Sequence, residues 1–464
     1  MIKKSLMILS ISAAYFANAQ DVSTIKNNAE VYSNSSLSGS AKYNSMAGSM
    51  GALGADFSVL NSNPAGIAVS IASELSGTLF LENNKNTTSY VGNSTAYKTN
   101  DTNLGNVGAI AVFKVNSGSA WKFVNVAMNY SNQSIEDYSE TPGNRSLIYD
   151  IRDANDAVID QLAFDGHAYN RYGNLSKMSL GIGGNYDHRI YVGAGLNFHS
   201  SALDQYDSAA FVDNTGFRDV YEKQYTPYSE SATGFSASLG VIGKISPQFR
   251  LGASLETPTW WNISRVYSEY ENPTDGTYSE DRNLSSPMKA TVSAAYVANK
   301  NFAINVDYTL GLTKSKYKVY GAAETELNQF FSSNAKNLSE VKVGAEYRIE
   351  NLRLRGGYGF ATSPFDSMSL NTTSGSLSNE NFSDLFSGKR NTIGAGIGYD
   401  FKSFFIDAAY QNISSEYSSP FLQGSAANNT GYFSNQYIVN SDAAIVSNVK
   451  NKKDNFFITL GWKF

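Results

Sequence analysis

The sequence of 464 residues has no cysteine, only 9 prolines and few charged side chains. Without cysteine, a disulfide framework and a thiolate metal site are excluded. Charged residues make up 17% of the chain, and its net charge of −5 comes without a basic cluster, so nothing indicates nucleic-acid binding. Beyond residue 19 no stretch approaches the roughly 20 uninterrupted apolar residues of a transmembrane helix, which excludes a helical membrane protein.

Aromatic residues are abundant instead, with 30 tyrosines and 26 phenylalanines. Few charges, many aromatics and no long apolar run suit strands that have one lipid face and one polar face. The segment 456–464 alternates in this way, and its apolar face carries Phe456, Ile458, Leu460, Trp462 and Phe464. A strand of this kind that ends on an aromatic residue resembles the closing strand of bacterial outer-membrane barrels. The alternative is an amphipathic strand of a soluble sandwich.

The first nineteen residues read as a secretory signal peptide. Lys3 and Lys4 form the charged region, an apolar run follows from 6 to 16, and Ala17-Asn18-Ala19 supplies the small residues of a cleavage site. The mature chain is therefore predicted to leave the cytoplasm. Three segments result: a signal peptide at 1–19, a non-alternating region at 20–72, and an alternating region at 73–464.

Period-two alternation predicts fourteen strands after residue 72. Short turns, such as those near 187–188 and 350–351, alternate with long connections, such as 132–175 and 413–452. Short periplasmic turns and long external loops are typical of outer-membrane barrels. The sequence therefore predicts an all-β fold, a transmembrane antiparallel β-barrel of about 14 strands. Amphipathic patterns at 156–164 and 324–331 predict helical turns over the external mouth.

The region 20–72 does not alternate and is rich in small residues. Gly48, Gly51 and Gly54 recur every three residues, where the missing Cβ permits tight turns and close backbone approach. Asn63-Pro64 is a turn dipeptide. A compact plug inside the barrel, a hatch, is predicted. The alternative for the turn is a simple connector that leads into the first strand.

These motifs resemble the FadL-type family of outer-membrane transport proteins. Its members have a glycine-punctuated N-terminal segment followed by Asn-Pro-Ala and a small residue, matched here by Asn63, Pro64, Ala65 and Gly66. The segments 251–261, 355–358 and 394–400 resemble later parts of the family. The resemblance implies a lumen blocked by the hatch, capture of hydrophobic ligands at external loops, and their sideways release into the outer membrane of a Gram-negative bacterial cell.

The candidate ligand site in the lumen consists of cations. Alternation points Lys342, Arg353 and Arg355 inward, because charge on the lipid face is costly. Guanidinium donors match the geometry of a carboxylate head group. The alternative is that these cations neutralise inward-facing acids in an ion-pair network.

An external capture groove is expected from the resemblance alone. By position it corresponds to aromatic residues of the third and fourth external loops: Phe211, Phe217, Tyr221, Trp260 and Trp261. The two tryptophans have a competing interpretation as anchors in the interfacial aromatic belt.

No catalytic chemistry is indicated. His167, His188 and His199 are dispersed and lack neighbours at metal-ligand spacing, and no nucleophile or phosphate-loop motif occurs. The expected function is transport of a hydrophobic compound, most simply a long-chain fatty acid or a hydrocarbon, by a monomer in contact with membrane lipid, without cofactor, metal or nucleic acid. The alternatives are a general porin and a structural outer-membrane protein.

Overall fold

A computed structural model describes residues 22–33, 38–115, 118–153, 155–270, 276–374, 376–424 and 430–464. The predicted signal peptide at 1–19 lies outside the described residues. Within the described part of the chain, no helix is both long enough and apolar enough to cross a bilayer.

The described residues form twenty-two strands along the chain. They are β1 Glu74–Tyr90, β2 Asn93–Lys114, β3 Trp121–Arg152, β4 Val158–Tyr186, β5 Ile190–Val212, β6 Arg218–Lys223, β7 Tyr228–Lys244, β8 Phe249–Glu256, β9 Trp260–Glu269, β10 Gly276–Ser285, β11 Lys289–Val297, β12 Phe302–Gly311, β13 Lys316–Lys318, β14 Ser339–Ile349, β15 Leu352–Ala361, β16 Met368–Thr373, β17 Leu377–Phe382, β18 Arg390–Asp400, β19 Phe404–Phe421, β20 Tyr432–Phe433, β21 Ile438–Val439 and β22 Ile445–Lys463.

These segments form a closed barrel of fourteen antiparallel strands, as predicted. Three of the fourteen barrel strands are each interrupted once. Segments β8 and β9 form one such strand, β10 and β11 form the second, and β12 and β13 form the third. Strands β6, β16, β17, β20 and β21 belong to external loops. The barrel closes where β1 pairs with β22, from Glu74 opposite Lys463 to Ser89 opposite Asn448. Closure leaves no unpaired strand edge exposed to the hydrocarbon region of a bilayer.

Alternation along the wall separates a lipid face from a lumen face. On β22, Phe456 and Trp462 are exposed on the outside, whereas Phe457 and Thr459 are buried in the lumen. The lumen face of β1 carries Ser76 and Thr78. An apolar outer face over a polar inner face is the pattern of a membrane barrel.

The external connections are more regular than predicted. Strands β3 and β4 continue far beyond the apolar band and pair with each other up to Arg152 opposite Val158. The predicted helical turns at 156–164 are therefore wrong: Leu162 and Phe164 alternate inward on β4 and pack under the loops. At 324–331 the prediction is confirmed by the helix Ala322–Asn334, which buries Leu327, Phe330 and Phe331.

Two N-terminal stretches occupy the lumen. The upper segment, residues 22–33, comprises the helix α1 Val22–Asn27 and the π-helix Asn28–Ser33. The hatch, residues 38–72, comprises the helix α2 Ala41–Ser45 and the 3₁₀-helices Phe57–Asn61 and Pro64–Val69. The loop helix Ala322–Asn334, α3, covers the upper segment in a shared apolar cluster.

Candidate functional site

The Asn-Pro-Ala-Gly turn of the hatch is organised by the side chain of Asn63. Its Oδ1 accepts a hydrogen bond from Ala65 N at 3.1 Å and so caps the helix Pro64–Val69. Its Nδ2 donates to Gly51 O at 2.8 Å and to Val241 O of the wall at 3.3 Å. Pro64 stands at the start of the helix, where its missing N–H costs nothing. The turn is thus joined both to the rest of the hatch and to β7.

Glycines of the wall make room for this turn. A Cβ at Gly240 would lie 2.0 Å from Asn63 Oδ1, and one at Gly193 would lie 2.4 Å from Pro64 O. On β4, a Cβ at Gly183 would lie 2.8 Å from Ile67 Cγ1. Because these distances are shorter than van der Waals contact, side chains here would push the hatch away from β4, β5 and β7.

The opposite side of the hatch packs in the same manner. A Cβ at Gly357 would lie 2.2 Å from the carbonyl carbon of Met46, and one at Gly394 would lie 2.6 Å from Ser45 O. Ala41 N donates to Thr459 Oγ1 at 2.8 Å. The hatch is therefore in contact with the wall on both sides of the lumen.

A polar cavity of about 130 Å³ lies on the external side of the hatch. Its floor includes Tyr43, Ala47 and Gly48. Its walls carry four cations and three carboxylates: Lys177, Lys289, Lys342, Arg390, Glu256, Asp307 and Glu340. The arrangement can hold an anionic group among several cations.

Most of these charges are paired. Glu340 accepts from Lys342 Nζ and from Arg390 Nη2, each at 2.9 Å, and Lys177 lies 3.5 Å from Glu256. Lys289 is different: within the described residues its ammonium group has neither an ion pair nor a hydrogen bond. Sequence reasoning missed Lys289, although alternation with Thr291 and Ser293 on β11 would have pointed it inward.

Of the predicted lumen cations, only Lys342 lines this cavity. Arg355 donates to Glu346 at 2.7 Å and to Asp407 at 2.8 Å, and Arg353 is paired with Asp400. Since Gly357 already meets the hatch, Arg355 and Arg353 lie on its periplasmic side. Both therefore belong to an inward ion-pair network, the alternative considered from the sequence.

The predicted external groove is not assembled from its five residues. Phe211 and Tyr221 are buried against each other in a loop cluster, with ring centroids 5.0 Å apart, whereas Phe217 is 60% exposed. Trp260 faces outward beside Phe235, and Trp261 faces the lumen, where its ring lies 4.9 Å from that of Tyr32. Consecutive residues of a strand point to opposite faces, which separates the two tryptophans.

The barrel wall is interrupted beside the cavity. Residues 257–259 separate β8 from β9, residues 286–288 separate β10 from β11, and each interruption contains a proline, Pro258 or Pro287. Thr259 N donates to Ser286 Oγ at 3.0 Å, so a side-chain hydroxyl replaces a ladder carbonyl. Thr257, Thr259, Ser286 and Pro287 line the cavity. The cavity therefore adjoins the part of the wall with fewer backbone hydrogen bonds.

Above the cavity, the upper segment is held by buried charges. Lys26 Nζ lies 2.5 Å from Asp137 Oδ2, and Arg171 donates to Asn27 at 2.7 Å and lies 3.2 Å from Asp137. Arg171 is also paired with Glu30. Burial raises the pKa of Asp137, but Lys26 and Arg171 outweigh this effect and lower the pKa to about 2. The carboxylate is thus ionised at neutral pH.

Comparison with protein-family models gives no match, and comparison with curated protein sequences gives none. Solved structures do match over nearly the whole chain. The toluene transporter TodX of P. putida aligns with a TM-score of 0.57 at 12% identity, covering 92% of this chain and 99% of that one. A Pseudomonas aeruginosa FadL homologue aligns with a TM-score of 0.57 at 12% identity, covering 93% and 99%.

The toluene transporter TbuX of Ralstonia pickettii aligns with a TM-score of 0.53 at 13% identity, covering 92% of this chain and 98% of that one. At this level of identity the likeness concerns architecture. The chain therefore has the fold of FadL-type barrels, as the sequence motifs predicted.

Proposed function

We propose that this chain is an outer-membrane transporter of the FadL type, which moves hydrophobic compounds from outside the cell into the membrane. The observation that carries the proposal is a lumen occupied by the hatch and the upper segment, with a cavity on the external face of the hatch. A closed lumen with an internal binding cavity suits a transporter that captures its cargo before passing it on. The transporter acts as a monomer.

The cavity favours an amphiphile with an anionic head group, of which a long-chain fatty acid is the simplest. Lys289 has no anionic partner within 4 Å among the described residues, and Lys177 and Lys342 face the same space. A carboxylate would supply the missing partner through charge-assisted hydrogen bonds. A neutral hydrocarbon would leave the partly buried lysine without a direct anionic partner, which is unfavourable.

Release follows the interruption of the wall. At 257–259 and 286–288 the neighbouring strands are held in part by hydroxyl groups, and Pro258 and Pro287 contribute no N–H. Separating these strands breaks fewer backbone hydrogen bonds than separating an intact pair. Cargo in the adjoining cavity would reach lipid by this lateral route.

A general porin is disfavoured by the same packing. Porins require a water-filled passage, whereas here wall glycines meet hatch backbone on both sides of the lumen and the upper segment fills the space above. Opening such a passage requires the hatch to leave its contacts with the wall.

The test of the head-group site is a comparison of three single variants: Lys289→Gln, Lys342→Gln and Arg353→Gln. The purified proteins are titrated with oleate and with toluene. Lys289→Gln is expected to weaken oleate binding by about tenfold, corresponding to one charged hydrogen bond of roughly 1.5 kcal/mol, and to leave toluene binding unchanged. Lys342→Gln should act in the same direction. Arg353→Gln carries the same charge change on the other side of the hatch and should bind oleate as the wild type does.

Equal loss of oleate binding in Arg353→Gln would contradict this site and would restore the periplasmic arginines as the ligand site. Mass spectrometry of lipids extracted from the purified wild type identifies the natural cargo. An extract without anionic amphiphiles would count against a fatty acid.

The lateral route is tested with a disulfide, since the chain has no native cysteine. The variant Thr259→Cys/Ser286→Cys links the two interruptions, and Ser179→Cys/Asn197→Cys links an intact pair of strands on the lumen face as the control. Oxidation should abolish oleate uptake by whole cells only in the first variant, and a reductant should restore it. Uptake that survives the linked interruption would place the exit elsewhere.

A further inference from the structure

A row of three lysines crosses the outer surface of the barrel where it closes. Lys98 of β2 stands directly opposite Lys85 of β1, and Lys85 stands directly opposite Lys452 of β22. Directly opposed residues have Cβ atoms about 5 Å apart, and like charges in such positions destabilise a sheet. The row is therefore unfavourable unless an anion lies against it.

The protein itself provides little of the negative charge that this row of lysines requires. Lys85 and Lys98 form no ion pair or hydrogen bond with any described residue. Lys452 lies 3.7 Å from Asp454, but the same carboxylate also accepts hydrogen bonds from Tyr410 at 2.5 Å and Asn412 at 2.8 Å. Of the three adjacent lysines, only Lys452 thus has a carboxylate within 4 Å among the described residues, and that carboxylate has other partners.

The height of the row is set by the apolar band beneath it. Leu81 pairs with Phe456, and both are exposed on the lipid side. Lys85 and Lys452 lie four residues further toward the outside on the same strands, about 13 Å along a strand at 3.3 Å per residue. Since barrel strands are tilted and lysine side chains reach back toward the interface, the ammonium groups lie at head-group level.

A groove of about 650 Å³ adjoins the row. It lies beside the end of β17 and adds Lys389 and Lys450 to Lys452. The groove also contains the carboxylates Asp384 and Glu416, of which Glu416 lies 3.6 Å from Lys450. Its polar side chains include Asn391, Ser414 and Asn448. The combined surface offers cations in a row beside a polar recess.

We propose that this surface binds the phosphate groups of a glycolipid in the outer leaflet of the membrane, with the phosphates against Lys98, Lys85 and Lys452. The proposal rests on the proposed location in the outer membrane. Anionic lipid head groups attract juxtamembrane lysines, and each further lysine strengthens the attraction. The apolar band directly below the row would accept the acyl chains of the same molecule, which a free phosphate ion lacks.

The test measures binding of bis-phosphorylated lipid A to the full chain in a neutral detergent, by native mass spectrometry. The variant Lys85→Gln/Lys98→Gln is expected to raise the apparent Kd at least about tenfold. Lys85→Arg/Lys98→Arg keeps the charge and should bind as the wild type does. Lys316→Gln/Lys318→Gln is the matched control, because it removes two exposed cations of β13 that face Ser285 and Asn283 rather than other cations.

Three outcomes would overturn the proposal. Equal binding of dephosphorylated lipid A would show that phosphate is not recognised. Displacement of lipid A by millimolar inorganic phosphate would indicate an anion site without lipid selectivity. An equal loss in the control variant would indicate a response to net charge only. Heat resistance of each purified variant verifies that its barrel is folded.

The outcome is independent of transport. Lys85 and Lys98 lie outside the lumen, so Lys85→Gln/Lys98→Gln should take up oleate at the wild-type rate when its surface abundance is equal. If Lys85→Gln/Lys98→Gln loses uptake but still binds lipid A, the proposed lipid A site is overturned. If the wild type binds lipid A normally but transports nothing, only the transporter proposal is contradicted.

Discussion

The two stretches that occupy the lumen are held in different ways. The hatch meets the wall through backbone atoms at glycines and through hydrogen bonds such as those of Gly51 N to Asp307 and of Arg250 to Leu53 O. No ion pair within 4 Å joins residues 38–72 to any described residue of the wall. The upper segment is held by buried charges, with Lys26 on Asp137 and Arg171 on Glu30. Close shape complementarity does not depend on pH, whereas a buried ion pair does. The hatch is thus expected to respond less to pH than the upper segment, which can be released by a change of charge.

The largest expected effect comes from removing one of the buried charges. Arg171→Gln leaves Glu30 and Asp137 short of a partner, and breaking a buried pair costs about 3 to 5 kcal/mol. The upper segment should then become sensitive to added protease while the hatch stays protected. Mass spectrometry of the fragments gives the cleavage sites. Cleavage within 38–72 at the same rate would contradict the idea that the upper segment, but not the hatch, depends on buried charges.

A large side chain at a wall glycine should act on the hatch alone. Gly193→Leu places atoms where Pro64 O now lies, and overpacking of this kind costs about 1 to 3 kcal/mol. The hatch should shift, and conductance to small ions in planar bilayers should rise. Gly356→Leu is the control, since a Cβ at Gly356 meets nothing closer than 3.9 Å. If conductance rises equally in both variants, the hatch contacts are not what closes the lumen.

Acid should release the upper segment and spare the hatch. The pKa of Asp137, on the part of β3 that extends beyond the apolar band, is lowered to about 2. A carboxyl group whose folded pKa lies below its unfolded pKa contributes its full stability above about pH 4 and loses it as the pH falls toward 2. The contribution is on the order of 2 kcal/mol. Protease sensitivity of 22–33 measured with pepsin should rise between pH 4 and 2, and Asp137→Asn should show no such rise.

Ala65→Leu tests whether the hatch turn acts as the gate, and its effect is expected on uptake rather than on assembly of the barrel. Ala65 is fully buried, and its N lies 2.6 Å from an ideal Cβ on Gly193. The barrel should stay assembled and heat-resistant, while uptake of oleate by whole cells falls because the added atoms hinder movement at the turn. Normal uptake at equal surface abundance would show that the turn only connects the hatch to β1.

The barrel could be predicted from the sequence because alternation is a local signal. Each strand carries its own apolar face, as Phe456 and Trp462 do on β22, so most strands can be recognised one at a time. Merging 248–271 into one strand, and hence the count of fourteen, also relied on the number that the family resemblance implies. The extensions of β3 and β4 cannot be predicted from alternation because they lie outside the membrane, where neither face has to be apolar. There the pairing across strands, such as Leu162 opposite Tyr149, decides the structure, and a single stretch does not reveal its partner.

The residues of the cavity are harder to predict from the sequence than the barrel is. Lys342 can be found from the sequence because it lies in a strand with several charges, whereas Lys289 stands next to an interruption of the wall that alternation does not reveal. The function of a cation also depends on its distance from acids on other strands. Arg355 and Lys289 both point inward, yet only the structure shows that Arg355 has two carboxylates and Lys289 has none within 4 Å among the described residues.

One contact of the hatch has a consequence for the order of folding. The hydroxyl of Thr459 accepts a hydrogen bond from Ala41 N of the hatch and lies 2.8 Å from the hydroxyl of Thr78, so hatch, first strand and last strand meet at one side chain. Ala41 and Thr459 are 418 positions apart in the chain. Such a contact closes a loop that includes nearly all of the barrel, and contacts of this separation form late. The hatch, which is synthesised before the wall, is therefore fastened at this point only when the last strand arrives.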